Sequence, residues 1–369
     1  MRIAFYAPLK PPDHAIPSGD RRVARLFVDA LRLAGHQPFV ASRLRSFDRE
    51  GDTLRQGRLA EIGRRAAARL VGQWRRSPEA APELWFTYHL YHKAPDWLGP
   101  AVGAALGIPY AIAEASFAPK QADGRWDIGH RAVEAALRRA DAVIGLNPTD
   151  RECVLPLLRD PRRWIDMAPF LDSRRYRARP LRRDLPSPRL IAVAMMRPGD
   201  KLASYRLLGA ALAMLLDLDW SLDIVGDGLA RREVEAALAR LGARVRYRGA
   251  LDEPGVAAAL GEADLFVWPA INEAFGMALL EAQASGLAVV AGESGGVGGI
   301  VVSGETGLLT PPGDAAVFAA SVRRLIRDPD SRSAMGAAAR AKIEREHDLP
   351  GAAERLAAIL GRLHPVRAA

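Results

Sequence analysis

The sequence predicts an α/β protein built from two doubly wound domains that face a central cleft. Short β-rich runs alternate with helix-length amphipathic stretches along the 369 residues, a pattern that indicates βαβ units and parallel sheets. The alternation stops once, in an arginine- and proline-rich stretch at 173–188, and then restarts, so the chain carries two sheets. Because open α/β sheets bind ligands outside the carboxyl ends of their strands, two facing domains predict a cleft that suits two substrates.

The N-terminal domain is predicted over residues 1–172. Its helices include "DRRVARLFVDALRLAG" and "HRAVEAALRRAD". Its six predicted strands are, in order, "RIAFYA", "PFVAS", "LWFTY", "PYAIAE", "AVIGLN" and "WIDMAP".

The C-terminal domain is predicted over residues 189–345, after a linker at 173–188. Helices are expected near 314–327 and 330–345, and a last helix within 346–369 is expected to pack back on the N-terminal domain. The strands predicted here are "LIAVAMM", "SLDIVGDG", "RVRYRG", "DLFVWP", "LAVVAG" and "GLLT".

Composition limits the class of protein. The single cysteine, Cys153, excludes an internal disulfide and a cysteine-rich metal site. No apolar run of about 18 residues is present and the N-terminus reads as a strand, so we expect a cytoplasmic protein. The net charge of +9 favours anionic partners, although a general arginine bias explains it equally well. No zinc-finger or RNA-binding motif appears, so nucleic acid is not expected.

One basic stretch, "RLAEIGRRAAARLVGQWRR" at 58–76, has two interpretations. Apolar residues recur near helical spacing among arginines, which predicts peripheral contact with an anionic membrane at its inner face. The competing and favoured interpretation is a helix packed on the first sheet with a basic outer face. The apolar residues concerned are Leu59, Ile62, Leu70 and Trp74.

Two glutamates eight residues apart, Glu273 and Glu281, bracket the start of a predicted helix in "NEAFGMALLEAQASG". The helix is expected to open at Phe275 or Gly276 and to end before Gly286. Its first amides, near Met277, form an anion site. Eight residues advance about 12 Å along a helix, roughly the reach of a sugar–diphosphate–ribose unit. A ligand could therefore satisfy a buried Glu281, whereas an exposed helical glutamate is the plain alternative.

Three segments that follow one another in the order and spacing of a known family give this pattern a family resemblance. "LDIVGDGLARREVE", "ADLFVWPAINEAFGMALLEAQASGLAVVAG" and "SGETGLLTPPGD" resemble the retaining family-four (group 1) glycosyltransferases, which have the GT-B fold of two Rossmann-like domains. The resemblance implies a nucleotide-sugar donor, UDP- or GDP-linked, bound mainly in the C-terminal domain. It also implies sugar transfer with retained anomeric configuration and no metal or other cofactor.

The resemblance assigns roles to residues of the C-terminal domain. Arg197 and Lys201, in "MMRPGDK", match the pair that holds the donor diphosphate, at a spacing one residue shorter than the common pattern. With Glu273 they form the predicted catalytic group. The predicted donor-binding residues are Glu281, Gly19, Gly226, Phe275, Gly276, Met277 and Leu251, of which Gly226 has an equally good structural explanation.

The N-terminal domain departs from the family pattern. Ser18 and Gly19 stand where the family has two glycines, and Ala115 stands where many relatives have an active-site histidine. The predicted acceptor-side residues are His89, His92 and Glu114, although the histidines could equally be ordinary loop residues.

The sequence therefore leaves alternatives of different class. A retaining, metal-independent glycosyltransferase is the leading hypothesis, with an acceptor that is a glycan, a lipid-linked molecule or a small molecule. A non-catalytic sugar-nucleotide-binding or scaffold protein of the same fold is the alternative suggested by Ala115. An epimerase of this fold is the least favoured.

Overall fold

The computed structural model describes residues 1–16, 18–177, 187–273 and 276–363. The chain divides into two compact units. The first unit comprises Met1–Ala168 together with the segment from Leu349 onward, and the second comprises Pro169–Asp348. In the described residues, no helix is both long enough and apolar enough to cross a membrane.

The first unit contains a six-stranded parallel sheet in the order β2-β1-β3-β4-β5-β6. All six strands coincide with predicted runs, because each run is apolar and rich in β-branched or aromatic residues. They are β1 (Arg2–Tyr6), β2 (Gln37–Ser42), β3 (Leu84–Leu90), β4 (Tyr110–Ala115), β5 (Ala142–Gly145) and β6 (Trp164–Asp166).

Helices connect the strands of this sheet. The last helix of the chain packs against the first, so the C-terminal segment completes the first unit. The helices are α1 (Gly19–Leu33), α2 (Thr53–Arg76), α3 (Gly99–Leu106), α4 (Asp127–Arg139), α5 (Arg151–Val154) and, at the end of the chain, α13 (Leu349–Leu363).

The second unit contains another six-stranded parallel sheet, in the order β12-β11-β10-β7-β8-β9. This is the strand order of a dinucleotide-binding Rossmann fold, read from its far edge. The strands are β7 (Arg189–Val193), β8 (Ser221–Val225), β9 (Val245–Gly249), β10 (Leu265–Trp268), β11 (Val289–Gly292) and β12 (Gly307–Thr310).

Seven helices of the described residues surround the second sheet. The helix predicted in the two-glutamate stretch is α9, and it ends where expected, before Gly286, whose φ of 77° suits glycine. The seven are α6 (Asp200–Ala213), α7 (Arg231–Leu238), α8 (Glu253–Glu262), α9 (Met277–Ala284), α10 (Val297–Ile300), α11 (Ala315–Arg327) and α12 (Pro329–Glu346).

Each sheet has one topological switch point, where the order of the strands reverses and the chain leaves two neighbouring strands in opposite directions. In the first sheet it lies between β1 and β3, and in the second between β7 and β10. Ligands of open α/β sheets bind at the carboxyl ends of strands beside such a point. The loops that follow these four strands are therefore where the predicted site residues must be sought.

Candidate active site

The switch point of the second sheet brings together two of the three predicted catalytic residues. Lys201 Nζ, at the start of α6, forms an ion pair with Glu273 Oε2 in the loop after β10. Trp268 Nε1 donates a hydrogen bond of 3.2 Å to the same Glu273 oxygen, and Lys201 Nζ lies 5.5 Å from the Trp268 ring centroid. Lys201 and Glu273, which are 72 positions apart in the sequence, therefore both contact the Trp268 side chain at the end of β10.

The loop that carries Glu273 is fixed by other elements. Ser204 Oγ accepts a hydrogen bond of 3.0 Å from the backbone nitrogen of Ile271. Ser294 Oγ, after β11, accepts one of 3.0 Å from the backbone nitrogen of Glu273. The loop needs this support because Ala270 and Asn272 have φ of 52° and 51°, which costs roughly 1–3 kcal/mol each for residues other than glycine. Glu273 is therefore held in place by residues that sequence reasoning did not select.

Arg197 follows β7 on the same edge of the sheet. Its side chain is exposed and, within the described ranges, forms no hydrogen bond or ion pair. The next residues lead through Gly199, with φ of 85°, into α6. The predicted diphosphate pair is thus present as one exposed guanidinium and one ammonium already paired with an acid.

The start of α9 is where the sequence predicts an anion site. Gly276 is the residue before the helix and has φ of 72°, where a side chain would be strained and would meet Leu279. The first backbone N–H groups of a helix, here beginning with Met277, have no partner within the helix. Phe275 lies outside the described residues. Glu281 is only 4% exposed, so the burial that the sequence predicts for this carboxylate is found.

Gly226 has a structural role whatever it binds. A Cβ atom there would lie 1.9 Å from the carbonyl oxygen of Ala194, and φ is 141°. The loop after β8 therefore packs directly on the loop after β7. Leu251 is half-buried in the turn between β9 and α8. For both residues, contact with a donor stays a prediction.

The first unit has its own polar cluster at the carboxyl ends of its strands, made of Asp20, His89 and Glu114. His89 Nδ1 lies 3.0 Å from Asp20 Oδ1 at the start of α1 and 3.7 Å from Glu114 Oε1 at the end of β4. His89 and Glu114 occupy the same register position of β3 and β4, between the pairs Tyr88–Ala113 and Leu90–Ala115. Both have left-handed backbones, with φ of 62° and 59°, so the usual alternation of strand side chains breaks here.

The charges of this cluster shift the pKa values of its members. Burial alone lowers the pKa of His89, but the Glu114 charge and the Asp20 hydrogen bond outweigh it and raise that pKa to about 9. Burial raises the pKa of Glu114, opposed by His89. Burial alone would raise the pKa of Asp20, but the hydrogen bond and the charge of His89, together with smaller contributions, outweigh it and lower that pKa. At neutral pH the imidazole is therefore a cation.

His92 is separate from this cluster. Its ring contacts Trp126 edge-on, with 5.6 Å between centroids, and its buried Nε2 has no hydrogen-bond partner among the described residues. Burial, followed by the charges of Lys93, His130 and Lys120, lowers its pKa to about 4. The two predicted histidines thus have opposite charge states at neutral pH.

The structure shows what surrounds Ala115, Ser18 and Gly19, the positions at which the sequence departs from the family pattern. Ala115 is buried in the core of the first unit and its side chain belongs to a cluster of apolar residues. Gly19 opens α1, whose N-cap Ser18 accepts a hydrogen bond from the Arg21 backbone nitrogen. Among the described residues, a Cβ atom at Gly19 would meet nothing within 4 Å.

Asp20 and Trp268 are functional candidates that sequence reasoning did not select. The only sequence signal was their position, since each stands where a strand or helix meets a loop on the carboxyl side of its sheet. In the described residues, no group of three or more histidine, cysteine, aspartate or glutamate side chains could hold a metal ion. The expected independence of metal stays a prediction.

Comparison with known proteins identifies the second unit. Residues 199–342 match the family of glycosyl transferases, group 1. The second unit belongs to this family. Sulfoquinovosyl transferase from Arabidopsis thaliana is 34% identical over 124 residues, which are 33% of this chain and 24% of that protein. The matched segments span about a quarter of the length of the first curated relatives.

Two longer matches extend over the first unit. The 2-deoxystreptamine glucosyltransferase of Streptomyces kanamyceticus is 29% identical over 252 residues, covering 63% of this chain and 65% of the relative. The structure of HepE from Anabaena with UDP-glucose covers 98% of this chain and 100% of its own, with a TM-score of 0.72 at 18% identity. The predicted fold class, α/β with two Rossmann-like units as in GT-B glycosyltransferases, is confirmed.

Proposed function

We propose that this group 1 glycosyl transferase moves a sugar from a nucleotide-sugar donor, UDP- or GDP-linked, to an acceptor with retention of anomeric configuration. The observation that carries the proposal is the Lys201–Glu273 pair on Trp268, at the switch point of the sheet that matches the family. The similarity to a UDP-glucose complex supports a nucleotide-sugar donor.

The donor would lie along the carboxyl edge of the second sheet. Its diphosphate would accept hydrogen bonds from the first amides of α9 and charge-assisted ones from Arg197 and Lys201. Glu273 would contact the donor sugar and Glu281 the ribose hydroxyls. Gly276 would let the diphosphate approach the backbone, and the base would lie near Leu251.

In the transfer step, the bond between the anomeric carbon and the diphosphate oxygen breaks and a bond to the acceptor oxygen forms on the same face. The acceptor proton passes to the departing diphosphate. Arg197 and Lys201 would neutralise the negative charge that grows on the diphosphate, which is the task a divalent cation performs in metal-dependent transferases. We therefore propose a metal-independent reaction.

The acceptor would be bound by the first unit, beside His89 and Glu114. Because Nδ1 of the protonated His89 faces Asp20, its Nε2–H is the group left to donate to a ligand oxygen. A cation with a pKa of about 9 is a poor general base at neutral pH. His89 would therefore orient a ligand and stabilise negative charge, in place of the histidine that Ala115 replaces.

Peripheral membrane contact is a further part of the proposal. Helix α2 buries Ala67, Val71 and Trp74 in the core of the first unit, so Trp74 is not available to lipid. The outer face keeps exposed arginines with Leu54 and Ile62, which are 74% and 50% exposed. Sedimentation with liposomes is expected to increase with the fraction of anionic lipid, and Ile62→Glu should reduce it. Sedimentation independent of anionic lipid would rule this contact out.

Nucleotide binding and turnover together test the main proposal. UDP-, GDP- and related sugars should raise the melting temperature, since a ligand at 100 times its Kd stabilises by about 2.7 kcal/mol. Lys201→Ala should weaken nucleoside diphosphate binding much more than nucleoside binding. Arg206→Ala, which removes an exposed cation from the same helix, is the matched control and should change neither. Equal losses for nucleoside and diphosphate would contradict the role of Lys201.

The alternative function, a non-catalytic sugar-nucleotide-binding protein, is favoured by Ala115 alone. It predicts donor binding without transfer to any acceptor. Transfer observed with any added acceptor removes this alternative, and consumption of the donor without an acceptor would point to hydrolysis or epimerisation.

A further inference from the structure

Two loops of the first unit carry lysines that nothing nearby neutralises. The chain has five lysines, and Lys93 and Lys120 lie in the loops that leave β3 and β4 at the carboxyl edge of the sheet. Within the described part of the chain, neither forms an ion pair. Arginines elsewhere on the surface are commonly matched with acids, such as Arg138 with Glu134 at 2.7 Å.

The acids close to these loops are already occupied. Asp123 and Asp127 pair with Arg131, at 3.4 and 2.8 Å. Asp48 is buried, and its carboxylate accepts hydrogen bonds from the backbone nitrogens of Glu50 and Asp52 and from a side-chain amide. The two lysines therefore leave uncompensated positive charge.

An aromatic ring lies beside this charge. Lys93 Nζ stands 4.5 Å from the centroid of the Trp126 ring, a cation–π distance. Trp126 is half-buried and is fixed by a hydrogen bond of 3.2 Å from its Nε1 to the carbonyl oxygen of Asp48. Asp96 holds the loop that carries Lys93, because its buried carboxylate accepts hydrogen bonds from the Leu98 and Gly99 backbone nitrogens. Hydrogen bonds therefore hold in place both Trp126 and the loop that carries Lys93.

The two lysines lie on one stretch of the sheet edge, because β3 and β4 are neighbouring strands and Lys120 lies in the same loop as Trp126, between β4 and α4. The pKa of His92 agrees with this placement. The charges of both lysines, after burial and together with His130, lower the pKa of the same imidazole. We call the surface formed by His92, Lys93, Lys120 and Trp126 the Lys93 surface. The Tyr91 ring connects it to the Asp20–His89–Glu114 cluster, with its centroid 4.9 Å from that of the His89 ring and 5.5 Å from that of the His92 ring.

We propose that the Lys93 surface binds a phosphate group of the acceptor, with the adjoining sugar ring against Trp126. Two ammonium groups attract a dianion, and an indole ring offers an apolar face to the C–H groups of a sugar. The inference rests on the proposed function and deepens it, since it names the class of acceptor: a phosphorylated sugar, free or linked to a lipid.

The test compares ligands that differ only in the phosphate. Glucose 6-phosphate and glucose are titrated into the full chain by calorimetry. Vesicles of phosphatidylcholine with and without phosphatidic acid form a second arm. Glucose 6-phosphate is expected to bind at least tenfold tighter than glucose. An NMR titration should show that it raises the pKa of His92, because the phosphate offsets the lysine charges.

Variants locate the binding. Lys93→Gln and Lys120→Gln should each weaken phosphate binding about tenfold or more. Arg138→Gln, which removes one positive charge from the outer face of α4, should leave it unchanged. Binding only to vesicles with phosphatidic acid, and lost in Lys93→Gln, would support a lipid-linked acceptor. The proposal would be overturned if glucose 6-phosphate bound no more tightly than glucose. It would also be overturned if Arg138→Gln weakened the binding of glucose 6-phosphate as much as the lysine variants do.

The same samples separate this inference from the proposed function. UDP binding is measured for each variant, because the proposed function places the donor mainly on the second unit and none of the substituted residues among the donor-binding residues. If UDP binds and phosphate does not, the acceptor inference fails while the donor proposal stands. If neither UDP nor GDP binds, the proposed function itself fails.

Discussion

Replacing His89 with glutamine tests the charge that the structure gives to the first unit. The imidazole faces Asp20 and Glu114, and its ring centroid lies 4.9 Å from that of Tyr91. The negative charge of Asp150 also raises its pKa. Glutamine keeps a polar side chain but cannot titrate. A pH-dependent difference between the two proteins therefore reports on this side chain and on the Asp20 and Glu114 carboxyls whose pKa values it shifts.

The size and sign of the effect follow from the pKa. It rises from the ordinary 6.5 to about 9 in the folded protein. Since a difference of one in pKa corresponds to about 1.4 kcal/mol, the protonated imidazole contributes roughly 3 kcal/mol to folding. Because the folded pKa is raised, this contribution is fully present below pH 6.5 and is lost as pH rises through 9.

Two measurements check this. In urea denaturation, the free energy of unfolding of the wild-type protein, relative to His89→Gln, should fall by roughly 3 kcal/mol between pH 6 and 10. In NMR spectra of histidine-labelled protein, the resonance that His89→Gln removes should titrate near pH 9. Glu114→Gln should lower that pKa, because it removes a negative charge beside the ring.

The reasoning fails if that resonance titrates between pH 6 and 7. It also fails if the difference in unfolding free energy does not change with pH. His92 provides an internal standard, because its pKa of about 4 should place its titration far below that of His89.

Three further predictions concern the proposed sites. Glu281→Gln should weaken donor binding by one to two orders of magnitude, because a hydrogen bond to a charged group contributes roughly 1.5–3 kcal/mol. Unchanged donor affinity in calorimetry would rule out Glu281 as a ligand of the ribose. Gly226→Ala should lower stability by roughly 1–3 kcal/mol because of the contact with Ala194, whereas Gly19→Ala should fold normally and lose only donor affinity. At saturating donor, His89→Ala should slow transfer and His92→Ala should slow it less; wild-type rates in both and in the double variant would mean that neither compensates for Ala115.

The strands and the ends of α9 could be predicted because they depend on local sequence. Runs such as "LWFTY" and "DLFVWP" are apolar on both faces and bounded by turn residues, which defines a buried parallel strand without knowledge of its neighbours. Gly286 marks the end of α9 for an equally local reason, since glycine tolerates its backbone angles.

The contacts of the site could not be predicted in the same way. The pairing of Lys201 with Glu273 depends on which strands are neighbours, and sequence patterns do not define strand order. The contact of Glu114 with His89 could not be read from the alternation of strand side chains, because that rule assumes regular backbone angles and both residues have positive φ. Trp74, by contrast, lies in the core, in agreement with the favoured interpretation of residues 58–76 as a helix packed on the first sheet.

The left-handed backbones have a consequence for the directed evolution of this protein. In the described ranges, five residues other than glycine have positive φ, and four of them are His89, Glu114, Ala270 and Asn272. All four lie at the carboxyl edge of their sheets, where a left-handed backbone costs stability that glycine would not lose. At His89 the stability contributed by the protonated imidazole offsets this cost. Selection for heat resistance alone should therefore enrich glycine at Ala270 and Asn272, in the loop that carries Glu273, and so damage the proposed activity. A screen that scores both properties would expose the trade-off directly, with these two codons among the first to separate.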